Sequence, residues 1–473
     1  LGYASLSNDL KGIGSTAIGH GTLQSQQFGA STNVYNTAVG YQAGNDVTSG
    51  IQNTLIGALA GDALTDADQN VAIGHAALTA DTLGSKSVAI GREALVTQNF
   101  TSATDVYNVA VGHNAGQMVT TGVENTLIGG LAGDAITDAD QNVAVGVAAL
   151  GANTVGSRST AIGTYALDAQ NPASATNMYN TAVGYDAGGA VTTGVNNTFV
   201  GGLAGDALTT GGDNVSVGYS SLSSTTTATN NSAVGTYALN ANTTGGSNVA
   251  MGYNSLGANT TASNNTAIGT SALTLNTSQN NTAVGKSAGS NVTTGTQNTL
   301  IGAQVEAEAA GSNNCIGLGF NIVAGAGFTT LGIDSSDIRA AHGTATWAAV
   351  SDERYKKDIT DSTAGLSFIN ALQPRTFKYK TLGELPETFR AYKADSTEVF
   401  KNSNTNHGFI AQEVKAAIDA DDSIKDGFKL WDDRDDGSQE VAEAALIPVL
   451  VKAIQEQQAL IESLTARITT LEG

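Results

Sequence analysis

The chain contains little of what most enzymes of its length are built from. It has one Cys and 4 Pro in 473 residues, aromatic residues make up 5%, and charged residues make up 13%, against about 25% charged residues in an average soluble domain. A single Cys excludes a disulfide framework within the chain and a Cys-based zinc ribbon. No run of about 18 apolar residues is present, so we expect no membrane insertion. The opening stretch LGYASLSNDL lacks the positive segment of a secretory signal peptide.

The balance of charge excludes further classes and divides the chain. Its net charge of −21 disfavours electrostatic binding to nucleic acid or to an anionic membrane. Residues 1–341 hold 20 acids, 6 bases and 50 of the 57 Gly, whereas residues 342–473 hold 22 acids, 15 bases and 7 Gly. Two unlike segments are therefore joined near residue 342.

The first segment is a repeat of the unit Asn-Thr-Ala-Val/Ile-Gly. Most steps between successive Gly are 17 residues, three are 21 and the last two are 15, with Gly at 19, 40, 57, 74, 91, 112, 129, 146, 163, 184, 201, 218, 235, 252, 269, 285, 302, 317 and 332. The stretches 61–74 and 133–146 are near copies 72 residues apart, so a block of four units is itself duplicated. A fixed period of this size predicts a solenoid, in which each unit buries its apolar face by stacking on its neighbours.

The content of one period predicts a mainly β fold, namely a parallel β-solenoid with coils of 15–21 residues. The residue before each Gly is aliphatic and the one before that is small in most units, so strand alternation separates them onto two faces. We expect the aliphatic face to fill a narrow core, and each coil to hold two short strands joined by Gly, Asn, Thr and Ser turns. Because a thin coil buries little apolar surface, several chains should associate along the rod. A disordered linker is the alternative, which the strict aliphatic register disfavours.

The units NTAVG, NVAIG and STAIG resemble the head repeats of trimeric autotransporter adhesins, and similar repeats occur in bacteriophage tail fibres. This resemblance covers residues 1–333 and implies that coils from three chains form a trimeric β-roll. It is specific for architecture and weak for ligand.

The second segment contains the motifs that bear chemistry. A stretch at 334–350 is predicted as a linker, and it is followed by SDERYKKDI at 351–359 and by HGFIAQEV at 407–414. This combination resembles the C-terminal intramolecular chaperone and auto-protease domain of phage endosialidases and tail fibres. We place a small α+β chaperone domain at 351–446 and a coiled-coil helix at 447–473. The residues that carry the resemblance are Arg354, Ile359, Gly408, Phe409, Ala411, Gln412 and Glu413.

The resemblance implies a catalytic dyad of Ser351 and Lys356. A serine hydroxyl is a weak nucleophile unless a neighbouring base removes its proton, and a lysine amine is a base only when it is neutral. The resemblance places the break at Ser351, with both the Val350–Ser351 and the Ser351–Asp352 bonds open as the bond cut. The alternative is structural, with Ser351 capping a short helix and RYKK forming a solvated basic turn. We expect the domain to be at most an auto-endopeptidase that uses its serine once and turns over no other substrate.

The C-terminal residues predict a helix that associates with copies of itself. Apolar residues recur at heptad spacing, with a positions at Ile447, Ile454, Ile461 and Ile468 and d positions that include Leu464 and Leu471. Ile at a with Leu at d favours dimers, whereas both resemblances imply trimers, and we expect the rod to impose the trimer.

Together these features predict a virion structural protein, a homotrimeric phage tail fibre assembled in the host cytoplasm. Its expected partners are copies of itself, other tail or baseplate proteins, and a glycan or protein of the host surface. A bacterial trimeric surface adhesin and a polysaccharide-degrading tailspike are the alternatives. We predict no cofactor and no metal, because the calcium-loop-like stretch from Asp66 lacks Gly at its sixth position and Glu at its twelfth.

Overall fold

The computed structural model describes residues 2–472 apart from 335, 345, 346, 350, 390, 423, 426, 427, 429 and 434–436. The chain divides into two compact units, Leu1–Val350 and Ser351–Gly473. In the described ranges, no helix has both the length and the apolar character that a membrane span requires.

The first unit is the parallel β-solenoid that the repeat predicts. Its main sheet, here called the spine sheet, stacks successive coils so that each strand pairs in parallel with the strand of the next coil. Within the described residues the spine sheet has nineteen parallel strands: Thr16–Ile18, Thr37–Val39, Thr54–Ile56, Val71–Ile73, Val88–Ile90, Val109–Val111, Thr126–Ile128, Val143–Val145, Thr160–Ile162, Thr181–Val183, Thr198–Val200, Val215–Val217, Ser232–Val234, Val249–Met251, Thr266–Ile268, Thr282–Val284, Thr299–Ile301, Ile316–Phe320 and Phe328–Ile333. The mainly β class and the solenoid architecture are confirmed.

The expectation of two strands in every coil is wrong for most coils. In the part of the chain that the structure describes, a second parallel pair forms at four places: Gly12–Ile13 with Thr32–Asn33, Gly84–Ser85 with Thr104–Asp105, Gly156–Ser157 with Thr176–Asn177, and Glu306–Ala307 with Val323–Ala324. Elsewhere the chain turns through residues of positive φ, such as Leu78 at 54°. The N–H of Leu78 still donates to the carbonyl of Ala94 in the next coil at 3.0 Å. Coil-to-coil hydrogen bonding therefore continues around the turns without a second strand.

The two faces of the spine strands are also the reverse of the expectation. Ala72 is fully buried inside its coil, while Val71 and Ile73 on either side of it are only half-buried. Leucines of the turns, such as Leu78 and Leu95, fill the rest of the interior. The interior of each coil is narrow. A turn leucine leaves space for no more than a methyl group on the facing strand, so the β-branched residues of the strand point outward.

The outward residues form an apolar row, here called the aliphatic stripe, which consists of the residue before the repeat Gly of each coil. Ile18 is 46% exposed, Ile128 is 38% exposed and Met251 is 43% exposed. A row of this kind along a whole rod is an unusual amount of contiguous apolar surface for a chain that stays alone in water.

Stacked glycines explain why the repeat requires Gly after the aliphatic residue. Gly146 has a φ of +137°, and a Cβ added there would lie 2.5 Å from the carbonyl oxygen of Gly163 in the next coil. Near the end of the rod the glycine column passes from Gly302 to Gly319, because a Cβ on Gly302 would meet the Gly319 carbonyl. The repeat assigned to Gly317 from sequence is therefore misplaced by two residues, since Gly317 pairs with Leu300 at a core position.

A buried ladder of asparagines accounts for the first residue of the repeat. The N–H of Asn53 donates to Oδ1 of Asn36 at 2.8 Å, and its Nδ2 donates to the carbonyl of Ala67 at 2.8 Å. Fourteen buried asparagines continue this pattern within the described residues: Asn36, Asn53, Asn70, Asn108, Asn125, Asn142, Asn180, Asn197, Asn214, Asn231, Asn248, Asn265, Asn281 and Asn298. Each side chain satisfies buried backbone groups, whose loss of a partner costs about 1–3 kcal/mol apiece. Cys315 ends the ladder, and its N–H donates to Asn298 at 2.9 Å.

An antiparallel hairpin follows the last coil. Strand Phe328–Ile333 pairs with Ser336–Ala341, which pairs in turn with Ala348–Ala349. The stretch 334–350, predicted as a linker, thus contributes strands to the spine sheet.

The second unit is a small α+β region. Its helices are α1 at Leu366–Ala371, α2 at Ala411–Asp419 and α3 at Leu446–Glu472. Two antiparallel pairs accompany them, Arg375–Phe377 with Asn406–Gly408 and Trp431–Asp433 with Gln439–Val441. Short 3-10 helices span Glu353–Tyr355, Leu382–Glu384 and Glu443–Ala445. The core is formed by Ala364, Phe368, Leu372, Val414, Ile418, Leu430, Leu446 and Val449.

Candidate functional site

The first residues of the second unit bring the predicted dyad together. Nζ of Lys356 donates to Oγ of Ser351 at 2.8 Å and to the carbonyl oxygen of Ser351 at 3.2 Å. The two side chains are five residues apart, so this contact requires the chain to bend back on itself. The distance is within the reach expected of a nucleophile and its base.

The bend is made by the 3-10 helix Glu353–Tyr355. Oδ1 of Asp352 accepts the backbone N–H of Arg354 at 2.8 Å and caps the start of this helix. At the other end the N–H of Lys356 donates to the carbonyl of Glu353 at 2.9 Å. The structural alternative named Ser351 as the cap, but the cap is Asp352, and the hydroxyl of Ser351 is left to contact Lys356.

Asp352 and Arg354 also form an ion pair beside the dyad. The guanidinium donates through Nε to Oδ1 at 3.0 Å and through Nη2 to Oδ2 at 2.7 Å. These hydrogen bonds from Arg354 hold the pKa of the Asp352 carboxyl below its ordinary value, and the positive charge of Lys356 acts in the same direction. The charge of Arg354 is therefore directed at Asp352.

The surroundings determine what the contact can do. Ser351 and Lys356 are both exposed in the single chain. A lysine amine in water is protonated near neutral pH, and only its neutral form can take the serine proton. The single chain therefore supplies the contact that a Ser-Lys dyad requires, at a position exposed to water.

The second block of the predicted motif lies around the start of α2. Gly408 ends the strand that pairs with Arg375–Phe377, and Phe409 packs against the core of the unit. Ala411, Gln412 and Glu413 form the first turn of α2.

Sequence reasoning missed the partner of Glu413. The guanidinium of Arg375 donates to both carboxylate oxygens of Glu413, at 2.9 and 2.7 Å, and lowers the pKa of that carboxyl. This bidentate ion pair connects the strand Arg375–Phe377 to α2. The planar guanidinium of Arg is suited to binding both oxygens of a carboxylate. The sequence shows an Arg and a Glu that are 38 residues apart, and this spacing does not identify them as partners.

The remaining predicted residues are not brought to the dyad. Ile359 is exposed, and Val350, predicted at the cleavage site, lies outside the described residues. The heptad residues Ile447, Ile454, Ile461, Leu464, Ile468 and Leu471 are all exposed along α3. On the inner face of the same helix, Leu446, Val449 and Ala453 are buried. Among the described residues, no three His, Cys, Asp or Glu side chains are grouped as a metal site would require.

Comparison with known proteins identifies the second unit. Residues 351–422 match the protein family described as Chaperone of endosialidase. No curated protein and no solved structure matches the chain. The chain therefore carries a C-terminal endosialidase chaperone domain preceded by a long β-solenoid, and the resemblance drawn from the motifs at 351–359 and 407–414 is confirmed. The likeness of the coils to adhesin heads stays a prediction.

Proposed function

We propose that the protein is a homotrimeric bacteriophage tail fibre of the virion that attaches to the host surface, and that its C-terminal unit directs trimer assembly and then cuts itself off at Ser351. The observation that carries the cleavage is the 2.8 Å contact between Nζ of Lys356 and Oγ of Ser351. The match of residues 351–422 to an endosialidase chaperone family supports the assembly role.

Two exposed apolar surfaces support association of the chain with copies of itself. One is the aliphatic stripe along the solenoid, and the other is the heptad face of α3, where Ile454 is 64% and Ile461 is 57% exposed. Each surface is a row of exposed apolar residues, so parallel copies can bury the same row on every chain. Burial of apolar surface stabilises such contacts by about 25 cal/mol per Å².

The cut is proposed at the bond between Val350 and Ser351. Attack of Oγ on the carbonyl carbon of Val350 closes a five-membered ring, whereas attack on the carbonyl of Ser351 itself closes a strained smaller ring. Lys356 takes the hydroxyl proton and the amide nitrogen of Ser351 leaves with a proton, which gives an ester between Val350 and the serine side chain. Water then hydrolyses the ester, and the products are residues 1–350 and 351–473.

Loss of residues 351–473 would make assembly irreversible. The chaperone unit holds three chains in register while their coils stack on one another, and the register element is gone once the bond is cut. Once cut, residues 1–350 cannot reassemble after unfolding. The lifetime of the trimer is then set by its rate of unfolding.

A charge on the heptad face of α3 should prevent assembly. We expect the double variant Ile454→Asp, Ile461→Asp to elute as a monomer where the unaltered chain forms a trimer, because three buried carboxylates at each layer are strongly disfavoured. The measurement is molar mass by light scattering or native mass spectrometry. Gln455→Asp, Ala466→Asp is the matched control on exposed positions outside the heptad seam, and it should remain a trimer. A trimer of the Ile454 and Ile461 double variant would contradict the proposed role of α3.

A further inference from the structure

Three charged side chains and the hydroxyl of Ser351 meet on the turn that opens the second unit. Asp352 caps the 3-10 helix, and Arg354 donates hydrogen bonds to both oxygens of the Asp352 carboxylate. At the end of the helix, Nζ of Lys356 donates to Oγ of Ser351. Residues 352–356 thus hold two cations, Arg354 and Lys356, and two anions, of which Asp352 accepts from Arg354 and Glu353 is exposed to water.

Lys356 is a second cation whose charge acts on the Asp352 carboxylate. The positive charge of Lys356 already acts on the Asp352 carboxyl and lowers its pKa, after the larger effect of Arg354. A carboxylate that paired with Lys356 would favour the protonated amine. Such pairing opposes the proton transfer that a Ser-Lys dyad needs, because a protonated amine cannot accept the serine proton.

We propose that Arg354 is a positioning residue of the self-cleavage site: it holds the Asp352 carboxylate away from Lys356 and fixes the turn that returns Lys356 to Ser351. This proposal rests on the proposed function, because it concerns the rate of cleavage at Ser351. Arg354 is suited to this role because its planar guanidinium binds both carboxylate oxygens at once. The other charged side chains of the turn, Glu353, Lys357 and Asp358, are exposed to water.

Removal of the guanidinium should shift the pH dependence of cleavage. In Arg354→Gln the free carboxylate favours the protonated form of Lys356, so we expect the pH-rate profile to move to higher pH. At pH values below its midpoint the rate should fall about two- to fivefold, the range expected for exposed charge pairs. At the high-pH plateau, where the amine is neutral in either protein, the rate should be close to that of the unaltered chain. A role confined to folding of the turn predicts an equal loss at every pH.

Removal of the carboxylate charge should have the opposite effect. Asn is a good helix cap, so Asp352→Asn keeps an acceptor for the N–H of Arg354 while it removes the negative charge. We expect its profile to move to lower pH. The double variant Asp352→Asn, Arg354→Gln should return near the unaltered midpoint, because it removes one negative and one positive charge together. Arg354→Lys, which keeps the charge without the planar fork, should fall between the unaltered chain and Arg354→Gln.

The experiment uses the full chain made by cell-free synthesis and transferred to buffers from pH 6 to 10. Appearance of the fragment 351–473 is followed by intact mass, and trimer formation is measured in each sample. Arg467→Gln, a change of an exposed arginine on α3, is the control and should leave the profile unchanged.

The outcomes separate this proposal from the proposed function. If the unaltered chain is cut and the Arg354→Gln profile coincides with it or is lowered equally at all pH values, the positioning role is wrong and self-cleavage stands. If the unaltered chain is never cut at any pH, self-cleavage is wrong and the positioning role with it. Should Arg354→Gln fail to assemble, Asp352→Asn supplies the test, and an unshifted profile for that variant overturns the proposal.

Discussion

Ser351→Ala is expected to abolish release of residues 351–473, and Lys356→Ala is expected to do the same. The hydroxyl is the only nucleophile in the proposed mechanism, and the amine 2.8 Å away is its base. Loss of either member of a nucleophile and base pair typically lowers the rate by a factor on the order of 10³ or more. The measurement is intact mass spectrometry of the full chain after expression, in which each variant should give a single species of residues 1–473.

Two neighbouring substitutions serve as controls for the dyad. Ser362→Ala and Lys357→Ala change the same residue types at exposed positions within twelve residues of Ser351 in the sequence, and both should be cut as the unaltered chain is. All four variants should form trimers, since none of them lies on the aliphatic stripe or the heptad face. Release of the same fragment from Ser351→Ala would show that the dyad is not responsible for the cut.

Gly146→Ala is expected to disrupt the solenoid locally. The substitution places a Cβ 2.5 Å from the carbonyl oxygen and 2.6 Å from the carbonyl carbon of Gly163, on a residue whose φ is +137°. Backbone held at such an angle costs about 1–3 kcal/mol for a residue other than Gly, and the clash with the next coil adds to it. We expect a total loss of about 3–5 kcal/mol in the free energy of unfolding, which is exceptional for one methyl group.

The matched control for this prediction is Gly130→Ala in a neighbouring coil. A Cβ on Gly130 meets nothing within 4 Å, and its φ is not in the left-handed region. Thermal unfolding followed by circular dichroism should show a lower midpoint for Gly146→Ala and little change for Gly130→Ala. Hydrogen exchange should place the loss of protection in the coils that contain Gly146 and Gly163. Equal stability of the two variants would contradict the stacked-glycine account.

Much of the solenoid could be predicted because its repeat is a local pattern. The aliphatic residue before Gly and the period of 17 residues are visible in the sequence, and each strand pairs one period away. The side of the strand that faces inward could not be predicted from alternation alone, because alternation is the same for either choice. The decision depends on Leu78 and its equivalents, whose positive φ directs them into the interior. The displacement of the glycine column to Gly319 likewise depends on pairing with the neighbouring coil.

The candidate site was predicted through a motif, and its contacts required the structure. The spacing of Ser351 and Lys356 agrees with many turns, and the contact between them depends on the 3-10 helix capped by Asp352. The pairing of Arg375 with Glu413 spans 38 residues, a distance over which sequence alone does not identify partners. The ion pair of Arg354 with Asp352 was not predicted, because it depends on the same 3-10 turn.

The measurement that tests the central claim most directly is the mass of the species obtained when the unaltered chain is expressed and purified. The account predicts two species, a trimer of residues 1–350 and a fragment whose first residue is Ser351. A trimer that contains only the intact chain, or a fragment that begins at another residue, would contradict the proposal that the chaperone unit removes itself through Ser351.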